Sequence, residues 1–238
     1  MRLRVVSWNI HKGIGGIDRR YRLDRIRDVL VALDPDLALL QEVADGWPKA
    51  GGNFQAEWLA EQLGMSDFAF SPEHRFAEGG YGNAVLSKLP ILDRTRIDLK
   101  IGWRKQRSAL QVKVKLPQEC ASRDLYATSL HLGLVESERR RQLARLFEIE
   151  LHHAPSAPSL LGGDFNDVFG SIETRFLKSR GYLRLGERQR TFPAAFPCLG
   201  LDGIFGFRIQ PLEHVRCASA HVSTASDHLP LVADFDVD

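Results

Sequence analysis

Short apolar runs alternate along the chain with segments of helical periodicity, and this alternation restricts the fold more than any other feature. Residues 3–8 predict a strand, and "YRLDRIRDVLVALDPD" then places apolar residues at helical spacing until Pro35 ends the helix. The order recurs later, because residues 136–152 predict another amphipathic helix and "PSAPSLLGGDFND" predicts the strand after it. The sequence thus predicts an α/β protein.

Several neighbouring strands have too little chain between them for a helix. "SALQVKVKL" alternates apolar and polar side chains as a half-exposed antiparallel strand does, and the strand "DLYATSLHLGL" follows it closely. This spacing favours two mixed sheets with helices outside over a purely parallel sheet. The chain has 238 residues, 44% of them apolar, and this length fits one large domain over residues 1–238.

Polar residues directly follow several of the apolar runs, at positions where a rigid scaffold commonly exposes reactive groups. These residues are Asn9, Glu42, His131, Asp164, Asn166, Asp202, Asp227 and His228. In "LLGGDFND", alternation along an extended chain points Asp164 and Asn166 to one side, while Phe165 packs behind them. Asp167 is predicted to point away as a turn or capping residue. Turn chemistry remains the competing interpretation of the whole segment, because Gly-Gly-Asp and Asn-Asp are common in turns.

Asp202 lies inside the predicted strand "LDGIFGF", where a buried carboxylate needs a partner that offsets the cost of burial. We predict that this partner is a histidine. Asp227 and His228 stand directly before the apolar run "LPLVADFDV", although a turn with an incidental histidine explains them equally well. Glu42 and Asn9 carry less weight alone, since a surface acid and a turn-capping amide have the same pattern.

The residue types at these strand ends also indicate which metal ion they could bind. Carboxylate and carboxamide oxygens, with water completing the shell, are the ligands of Mg²⁺ or Mn²⁺, whereas Zn²⁺ and Cu²⁺ favour more histidine or cysteine. We therefore expect Mg²⁺, with Mn²⁺ as the second choice.

Composition excludes some classes of protein. The 32 basic and 30 acidic residues give a net charge of +2, which argues against a polycation that binds nucleic acid or membranes indiscriminately. Cys120, Cys198 and Cys217 show no C-x-x-C spacing, which argues against a disulfide framework and a zinc knuckle. No apolar run approaches the roughly 18 residues of a membrane span, and the N-terminal run is too short for a signal peptide. We expect a soluble, cytoplasmic protein.

Seven motifs in order resemble those of the endonuclease/exonuclease/phosphatase superfamily, which includes DNase I, abasic-site endonucleases, sphingomyelinases and inositol polyphosphate 5-phosphatases. The motifs are "SWNIH", "LQE", "YGNAVLS", "SLHLGL", "GGDFND", "LDGIF" and "SDHLP". The resemblance covers essentially the whole chain. It implies a DNase I-like four-layer α/β sandwich, in which two mixed, mainly antiparallel sheets pack face to face with helices outside.

The resemblance implies metal-assisted hydrolysis of a phosphoester and assigns a role to each motif residue. Glu42 holds Mg²⁺, and Asn9 and Asp227 act as ligands or lie close to the ion. Asp202 orients His228 and favours its protonated form, by the charge logic that raises the pKa of a histidine beside a carboxylate.

The remaining motif residues are assigned to the water and the phosphoryl group. Asp164 orients or deprotonates the attacking water, and His131 and Asn166 donate hydrogen bonds to the phosphoryl oxygens. His11 stands where abasic-site endonucleases carry an acid, which puts a metal contact at that position in doubt. Asn83, Arg107 and His11 are predicted contacts of the substrate.

The activity implied is that of a Mg²⁺-dependent phosphodiester hydrolase, and a nuclease acting on DNA or RNA is the favoured form. A phosphodiesterase or phosphatase acting on a phospholipid or on a small phosphoester such as an inositol phosphate is the alternative. The compact chain shows no long insertion that could grip a duplex, which supports this alternative. A catalytically silent binding scaffold is the least favoured reading, because every expected polar position is filled. We expect a monomer.

Overall fold

The computed structural model describes residues 1–120, 122–153, 157–212 and 222–237, and in these it forms two six-stranded sheets. The strands in chain order are β1 (Arg2–Asn9), β2 (Leu37–Asp45), β3 (Asp67–Arg75), β4 (Gly80–Ser87), β5 (Ile91–Asp98), β6 (Ser108–Lys115), β7 (Asp124–His131), β8 (Ser159–Asp164), β9 (Leu183–Arg184), β10 (Asp202–Phe207), β11 (Gln210–Pro211) and β12 (Leu231–Asp236). The α-helices are α1 (Leu23–Leu33), α2 (Gln55–Gln62), α3 (Glu136–His153) and α4 (Val222–Ala225). Cys217 lies outside the described residues, and Cys120 and Cys198 are free thiols.

Each sheet is mixed and contains one parallel pair of strands. The first has the order β11-β12-β1-β2-β4-β3 and the second has the order β5-β6-β7-β8-β10-β9. Strands β1 and β2 are parallel, as are β7 and β8, and the other neighbours that pair are antiparallel. Each parallel pair is joined by a crossover that contains a helix, α1 in the first sheet and α3 in the second.

The two sheets pack face to face, and the helices cover their outer faces. In β1, Val5 belongs to the apolar cluster between the sheets, whereas Val6 and Trp8 point outward to the cluster formed with α1 and α2. In β8, Leu160 faces the first sheet and Leu161 packs against α3. This alternation along half-buried strands produces four layers. The predicted four-layer α/β sandwich is therefore confirmed.

One edge of the sandwich collects the strand ends that carry the predicted site residues. Pairing directions make β1, β2 and β3 end at this edge of the first sheet, while β5, β7 and β8 end at it in the second. Asn9 Nδ2 at the end of β1 lies 3.4 Å from Asp164 Oδ2 at the end of β8, so both sheets meet there. We call the connecting segments at these ends the common edge. They are residues 10–22, 46–54, 76–79, 99–107, 132–135, 165–172, 185–201 and 226–230.

Two segments depart from regular helix and strand geometry. A π-helical turn, Glu173–Leu177, is followed by a 3-10 turn, Lys178–Arg180. Strand β2 continues past Glu42 to Asp45 through a β-bulge between Leu40 and Val43. No helix in the described part of the chain is both long and apolar enough to cross a bilayer.

A bidentate ion pair joins β1 to β12. Arg4 Nε and Nη2 donate to the two carboxylate oxygens of Asp234 at 2.8 and 3.1 Å, and Arg2 Nη2 donates to Oδ2 at 2.8 Å. The side chain of Asp234 is almost completely buried. The hydrogen bond from Arg4 holds the pKa of Asp234 below its ordinary value, so the contact stabilises the fold only while Asp234 is ionised.

We predict that Asp234→Asn lowers the free energy of unfolding by about 1.5–3 kcal/mol at pH 7, since charge-assisted hydrogen bonds are lost. The difference from the wild type should shrink as the pH falls below the ordinary pKa of 3.8, because the unfolded state then takes up a proton that the folded state, with its lower pKa, binds only at a still lower pH. Urea titrations of both proteins at pH 7 and at pH 3 measure this change. Asp236→Asn on the same strand is the control and should cost under about 0.5 kcal/mol.

Candidate functional site

Asp164 is the centre of a cluster of hydrogen-bonding groups at the common edge. Its Oδ2 atom lies 3.4 Å from Asn9 Nδ2, 3.4 Å from His131 Nε2 and 3.8 Å from His228 Nε2. The parallel pairing of β7 with β8 places His131 beside Asp164, and the antiparallel pairing of β8 with β10 places Asp202 on its other side. The fold therefore assembles this cluster from five separate parts of the chain, and the sheet register places His131 and Asp202 beside Asp164.

Asn166 reaches the same cleft by a turn of the backbone and not by strand alternation. Strand β8 ends at Asp164, and Asn166 has a left-handed backbone with φ of +50°. Its amide N–H donates to Asp164 Oδ1 at 3.0 Å, and its side-chain Nδ2 donates to the Leu132 carbonyl at 2.9 Å. Phe165 packs into the outer core, as predicted. Asp167 accepts hydrogen bonds from Ser171 and Ile172, which confirms its predicted turn role.

His228 is the partner predicted for Asp202. Its Nδ1 atom lies 2.9 Å from Asp202 Oδ2, which also accepts a hydrogen bond from the Thr191 hydroxyl. The indole of Trp8 donates to the His228 carbonyl at 2.8 Å, and Ser226 Oγ donates to the Asn9 carbonyl at 2.7 Å. These two contacts fix the segment before β12 against the end of β1, and the imidazole is thereby held between the two carboxylates.

The ionisation of this cluster follows from burial and from its charges. Burial raises the pKa of Asp164 to about 7, and the charge of Asp202 acts in the same direction. Burial alone would lower the pKa of His228, but the charge and hydrogen bond of Asp202 raise it to about 10. The pKa of His131 lies well below its ordinary value because of burial and the charge of Arg107. At neutral pH, His228 is therefore a cation and His131 is neutral.

Basic side chains line the wall of the cleft beside His131. Arg107 is almost completely buried, and its Nη1 atom donates to Glu73 Oε1 at 2.7 Å. Its buried Nε atom has no hydrogen-bond partner among the described residues. Lys105 lines the cleft as well, and burial together with the charge of Arg107 lowers its pKa. This wall presents positive charge toward the place where an anionic group could enter.

Oxygen donors occupy the other side of the cleft. Asn9, Glu42 and Asp227 line it, and Asn9 Oδ1 also accepts a hydrogen bond from the His11 amide at 3.1 Å. Glu42 has a left-handed backbone with φ of +52° at the bulge of β2, which turns its side chain into the cleft. Burial would raise the pKa of Glu42, but the ammonium group of Lys12, in contact with Oε2, lowers it to about 2.

This donor set fits Mg²⁺ or Mn²⁺ better than a softer ion. Glu42 is ionised at any neutral pH, and the groups beside it are a second carboxylate and a carboxamide. Asp164, Asp202 and His228 also lie close enough to hold a metal ion. However, the raised pKa of His228 gives its imidazole a positive charge at neutral pH, and a metal ion would have to displace that proton in order to bind there. Asp202 Oδ1 is buried without a partner in the described residues, so it could accept a donor from substrate or water.

The cleft has a volume of about 450 Å³, and most of the predicted site residues line it. These are Asn9, Glu42, Arg107, His131, Asp164, Asn166, Asp227 and His228. Asp202 lies directly behind His228. His11 lies beside the cleft, with its Nδ1 atom 3.0 Å from the Ile14 carbonyl and 3.7 Å from Asp227 Oδ2.

Asn83 is the one predicted site residue that lies away from this cleft. Its side chain is fully buried between the sheets, and Nδ2 donates to the Ser108 carbonyl at 2.8 Å. Strand alternation in β4 directs it toward the opposite sheet. Its position therefore gives no support to a contact with substrate, and Asn83 links the two sheets instead.

Comparison with known proteins identifies the family of this chain and agrees with its fold. The sequence profile of the Endonuclease/Exonuclease/phosphatase family matches residues 6–228. The chain is also 32% identical over 260 residues to the protein YbhP of Escherichia coli K12, covering 97% of this chain and 95% of YbhP. The chain belongs to the endonuclease/exonuclease/phosphatase family.

Solved structures of other proteins have the same fold. The endonuclease/exonuclease/phosphatase protein of Beutenbergia cavernae superposes with a TM-score of 0.81 at 22% identity, over 99% of this chain and 72% of that one. ANGEL2, a 2',3'-cyclic phosphatase solved with adenosine-2',3'-vanadate, superposes with a TM-score of 0.72 at 17% identity, over 100% and 96% of the two chains. At these identities the superpositions establish the fold alone. Members of the endonuclease/exonuclease/phosphatase family are generally phosphoester hydrolases.

Sequence analysis missed three polar residues of this family site. Lys12 contacts Glu42, Lys105 lines the cleft, and Thr191 donates to Asp202. Lys12 lies in the glycine-rich turn "HKGIGG" directly after the Asn9 motif, and Lys105 lies two residues before Arg107. The positions of the two lysines beside predicted site residues could thus have identified them from the sequence. Thr191 lies in "RTFPAAFP", residues 190–197, a segment whose sequence suggests contact with substrate, but only the fold shows that its hydroxyl bonds to Asp202.

The pairing of His228 with Asp202 predicts a measurable change of pKa. In Asp202→Asn, the pKa of His228 should fall from about 10 toward its ordinary value of 6.5, because the charge that offsets burial is lost. By the same linkage, the pairing stabilises the fold fully below pH 6.5 and loses this effect as the pH rises through about 10. Imidazole NMR shifts of His228 across this pH range report the change. Asp234→Asn, far from His228, is the control and should leave these shifts unaltered.

Proposed function

We propose that this protein is a phosphodiester hydrolase that uses a divalent ion, Mg²⁺ or Mn²⁺, and a water molecule activated at Asp164. The observation that carries the proposal is the cluster around Asp164 Oδ2, where a carboxylate of pKa about 7 lies beside a neutral and a protonated histidine. A carboxylate with this pKa accepts a proton at neutral pH and can release it again. Such a group suits the attack of water on a phosphoryl centre.

The side chains of the cleft divide the work of this reaction. Asp164 orients the water and takes its proton as the water oxygen bonds to phosphorus. The P–O bond to the leaving alcohol breaks, and the released alkoxide takes up a proton from solvent water. His228, held protonated by Asp202, donates a hydrogen bond to a phosphoryl oxygen, and neutral His131 donates from its Nε2 atom. Arg107 and Lys105 attract the anionic group and hold it in the cleft. Asn166 positions Asp164 through its backbone N–H, and its predicted contact with a phosphoryl oxygen stays a prediction.

Glu42, Asn9 and Asp227 are the residues that we assign to the divalent ion. They offer oxygen ligands from two carboxylates and one carboxamide on one side of the cleft. When bound there, the ion supplies a Lewis acid that polarises a phosphoryl oxygen.

The predicted nuclease activity and the phospholipid alternative share this chemistry. ANGEL2, with its adenosine-2',3'-vanadate, is a relative in fold that binds a nucleotide-derived phosphoryl analogue, which supports the nuclease form. The positively charged wall of the cleft attracts the phosphate group but does not distinguish the substituents esterified to it. The apolar side chains around the cleft bear on which of these substrates is bound.

Asp164→Asn tests the proposed reaction. We expect kcat on bis(p-nitrophenyl) phosphate with Mn²⁺ or Mg²⁺ to fall by about 10²–10⁴, because an amide cannot accept the proton of water. EDTA should abolish the wild-type activity, and the metal should restore it. A panel of duplex DNA, abasic DNA, RNA, phospholipids and inositol phosphates, with Asp164→Asn as the blank, then identifies the substrate.

Asp167→Asn is the matched control for that substitution. Asp167 is buried three residues away, and its carboxylate contacts its own turn and Arg139 but no residue that lines the cleft, so this variant should keep most of its kcat even where its stability falls. Equal losses of activity in folded samples of both variants would contradict the role of Asp164. Retained activity in Asp164→Asn would do the same.

Lys12→Met tests the assignment of Glu42 to the divalent ion. Lys12 and Glu42 are both largely buried and in contact, so the ammonium group competes with any cation that binds the carboxylate. We expect Lys12→Met, made in the Asp164→Asn background, to bind Mn²⁺ about tenfold more tightly in calorimetric titration. Lys105→Met, which removes a cleft lysine without removing a Glu42 contact, should have a smaller effect. Unchanged or weaker binding in Lys12→Met would show that Glu42 does not hold the ion.

A further inference from the structure

The exposed apolar side chains of this protein are concentrated at the common edge. Thirteen large apolar residues are exposed in the described parts of the chain, and nine of them lie in the segments of that edge. The other four, Met1, Val31, Leu92 and Leu183, are scattered over the chain start, a helix and two edge strands. Exposed apolar side chains concentrated in one region commonly mark a binding surface, whereas single scattered ones do not.

Six of the nine residues surround the opening of the cleft, and we call them the apolar rim. They are Trp103, Leu134, Val135, Val168, Phe169 and Phe196. Leu134 and Val168 line the cleft itself, and Trp103 and Val135 line an adjoining groove that shares Lys105 and Arg107 with it. Phe196 lies in the turn whose Phe192 and Leu199 line the cleft.

The most prominent rim side chains are almost fully in water. Trp103 is 91% exposed, Phe169 is 87% exposed and Phe196 is 84% exposed. Each lies on a different loop, after β5, after β8 and before β10 respectively. Three separate loops thus project one large aromatic side chain each from the same edge of the sandwich. Aromatic side chains presented in this way are typical of contact with the boundary between water and lipid.

Basic residues are also concentrated at the common edge. The segments of the common edge contain eleven basic and five acidic residues, so the rest of the chain keeps 21 of the 32 basic and 25 of the 30 acidic residues. The strand-end carboxylates Glu42, Asp164 and Asp202 are not in these segments, and they lie inside the cleft or behind its wall. The outer surface of the edge is therefore positive, whereas the remainder of the protein is close to neutral once these three carboxylates are set aside. An anionic surface attracts this edge.

We propose that the apolar rim docks the protein on an anionic phospholipid bilayer, and that the phosphodiester of a lipid headgroup is the group that enters the cleft. This inference rests on the proposed function, because it names the class of substrate for the same site. A bilayer displays phosphodiesters in the layer that the rim would enter. A protein partner or a second copy seated on the rim would instead cover the opening of the cleft. Nucleic acid fits less well: bases could stack on the three aromatic side chains, but the other half of the rim, Leu134, Val135 and Val168, is aliphatic, and nucleic-acid interfaces are more polar.

The test is cosedimentation with vesicles of phosphatidylcholine mixed with phosphatidylglycerol, and with vesicles of phosphatidylcholine alone. The protein carries Asp164→Asn, which separates binding from hydrolysis. We expect binding to the mixed vesicles that weakens with salt and is much lower on phosphatidylcholine alone. The double variant Trp103→Ser/Phe169→Ser should bind at least about tenfold more weakly, because two large apolar side chains no longer enter the interface.

Val31→Ser/Leu92→Ser is the matched control, since it removes two exposed apolar side chains outside the common edge. Its binding should stay within about twofold of the parent, by the same area argument. Trp103 fluorescence gives a second readout: the blue shift on adding mixed vesicles should disappear in Trp103→Phe while binding remains. Absence of vesicle binding, or equal losses in both double variants, would overturn the proposal. Binding of an oligonucleotide that depends on Trp103 and Phe169, without vesicle binding, would overturn it in favour of nucleic acid.

Activity assays distinguish a failure of this inference from a failure of the proposed function. With Asp164 restored, Trp103→Ser/Phe169→Ser should hydrolyse soluble bis(p-nitrophenyl) phosphate at the wild-type kcat, because the rim does not touch the reacting atoms. Its hydrolysis of phospholipid in vesicles should fall in parallel with its binding. Loss of the soluble activity in Asp164→Asn alone supports the hydrolase function whatever the vesicles show.

Discussion

Three buried ionisable groups, Asp164, Asp202 and His228, lie within 4.8 Å of one another, and the arrangement of the cleft depends on their mutual compensation. Each would be costly to bury alone. The imidazolium of His228 offsets one carboxylate fully, and the raised pKa of Asp164 absorbs the remaining charge. The surrounding contacts maintain this arrangement. Trp8 and Ser226 hold the backbone of the His228 segment, and the Thr191 hydroxyl donates a hydrogen bond to Asp202. Remove the histidine and two carboxylates are left facing one another without a cation.

Departures from regular strand geometry bring the polar groups into the cleft. By strand alternation, Glu42 would follow Leu40 toward the helix side of the first sheet, but the bulge and its left-handed backbone reverse its direction. Asn166 turns back in the same conformation after β8 ends. Such backbone is unfavourable for residues other than glycine by roughly 1–3 kcal/mol each, so surrounding contacts must maintain it. Here these contacts are the Lys12 ammonium for Glu42 and the Leu132 carbonyl for Asn166.

The sequence therefore predicted which residues form the candidate site better than it predicted the strands and turns that bring these residues together. Central strands such as β1 and β8 are strongly apolar and were recognised, and with them the strand-end residues Asn9 and Asp164. Strands β3 and β5 were missed because they lie at the sheet edges, where proline and charged residues protect a strand from unwanted pairing. The bulge at Glu42 and the approach of Thr191 to Asp202 leave no local pattern, since both depend on contacts distant in sequence. The family resemblance supplied the roles that spacing alone left open.

The topology also explains why the common edge can carry both the candidate site and the apolar, positively charged surface around it. The connections at the opposite edge include the tight turns of residues 34–36 and 88–90, whereas the common edge holds segments such as 99–107 and 185–201. Long segments can vary without disturbing the strand register, so the Trp103 and Phe196 side chains project there at little cost to the fold. The same segments hold most of the excess positive charge. A rigid sandwich with one positive, apolar end approaches a flat anionic surface with its cleft foremost, and its orientation needs no second domain to set it.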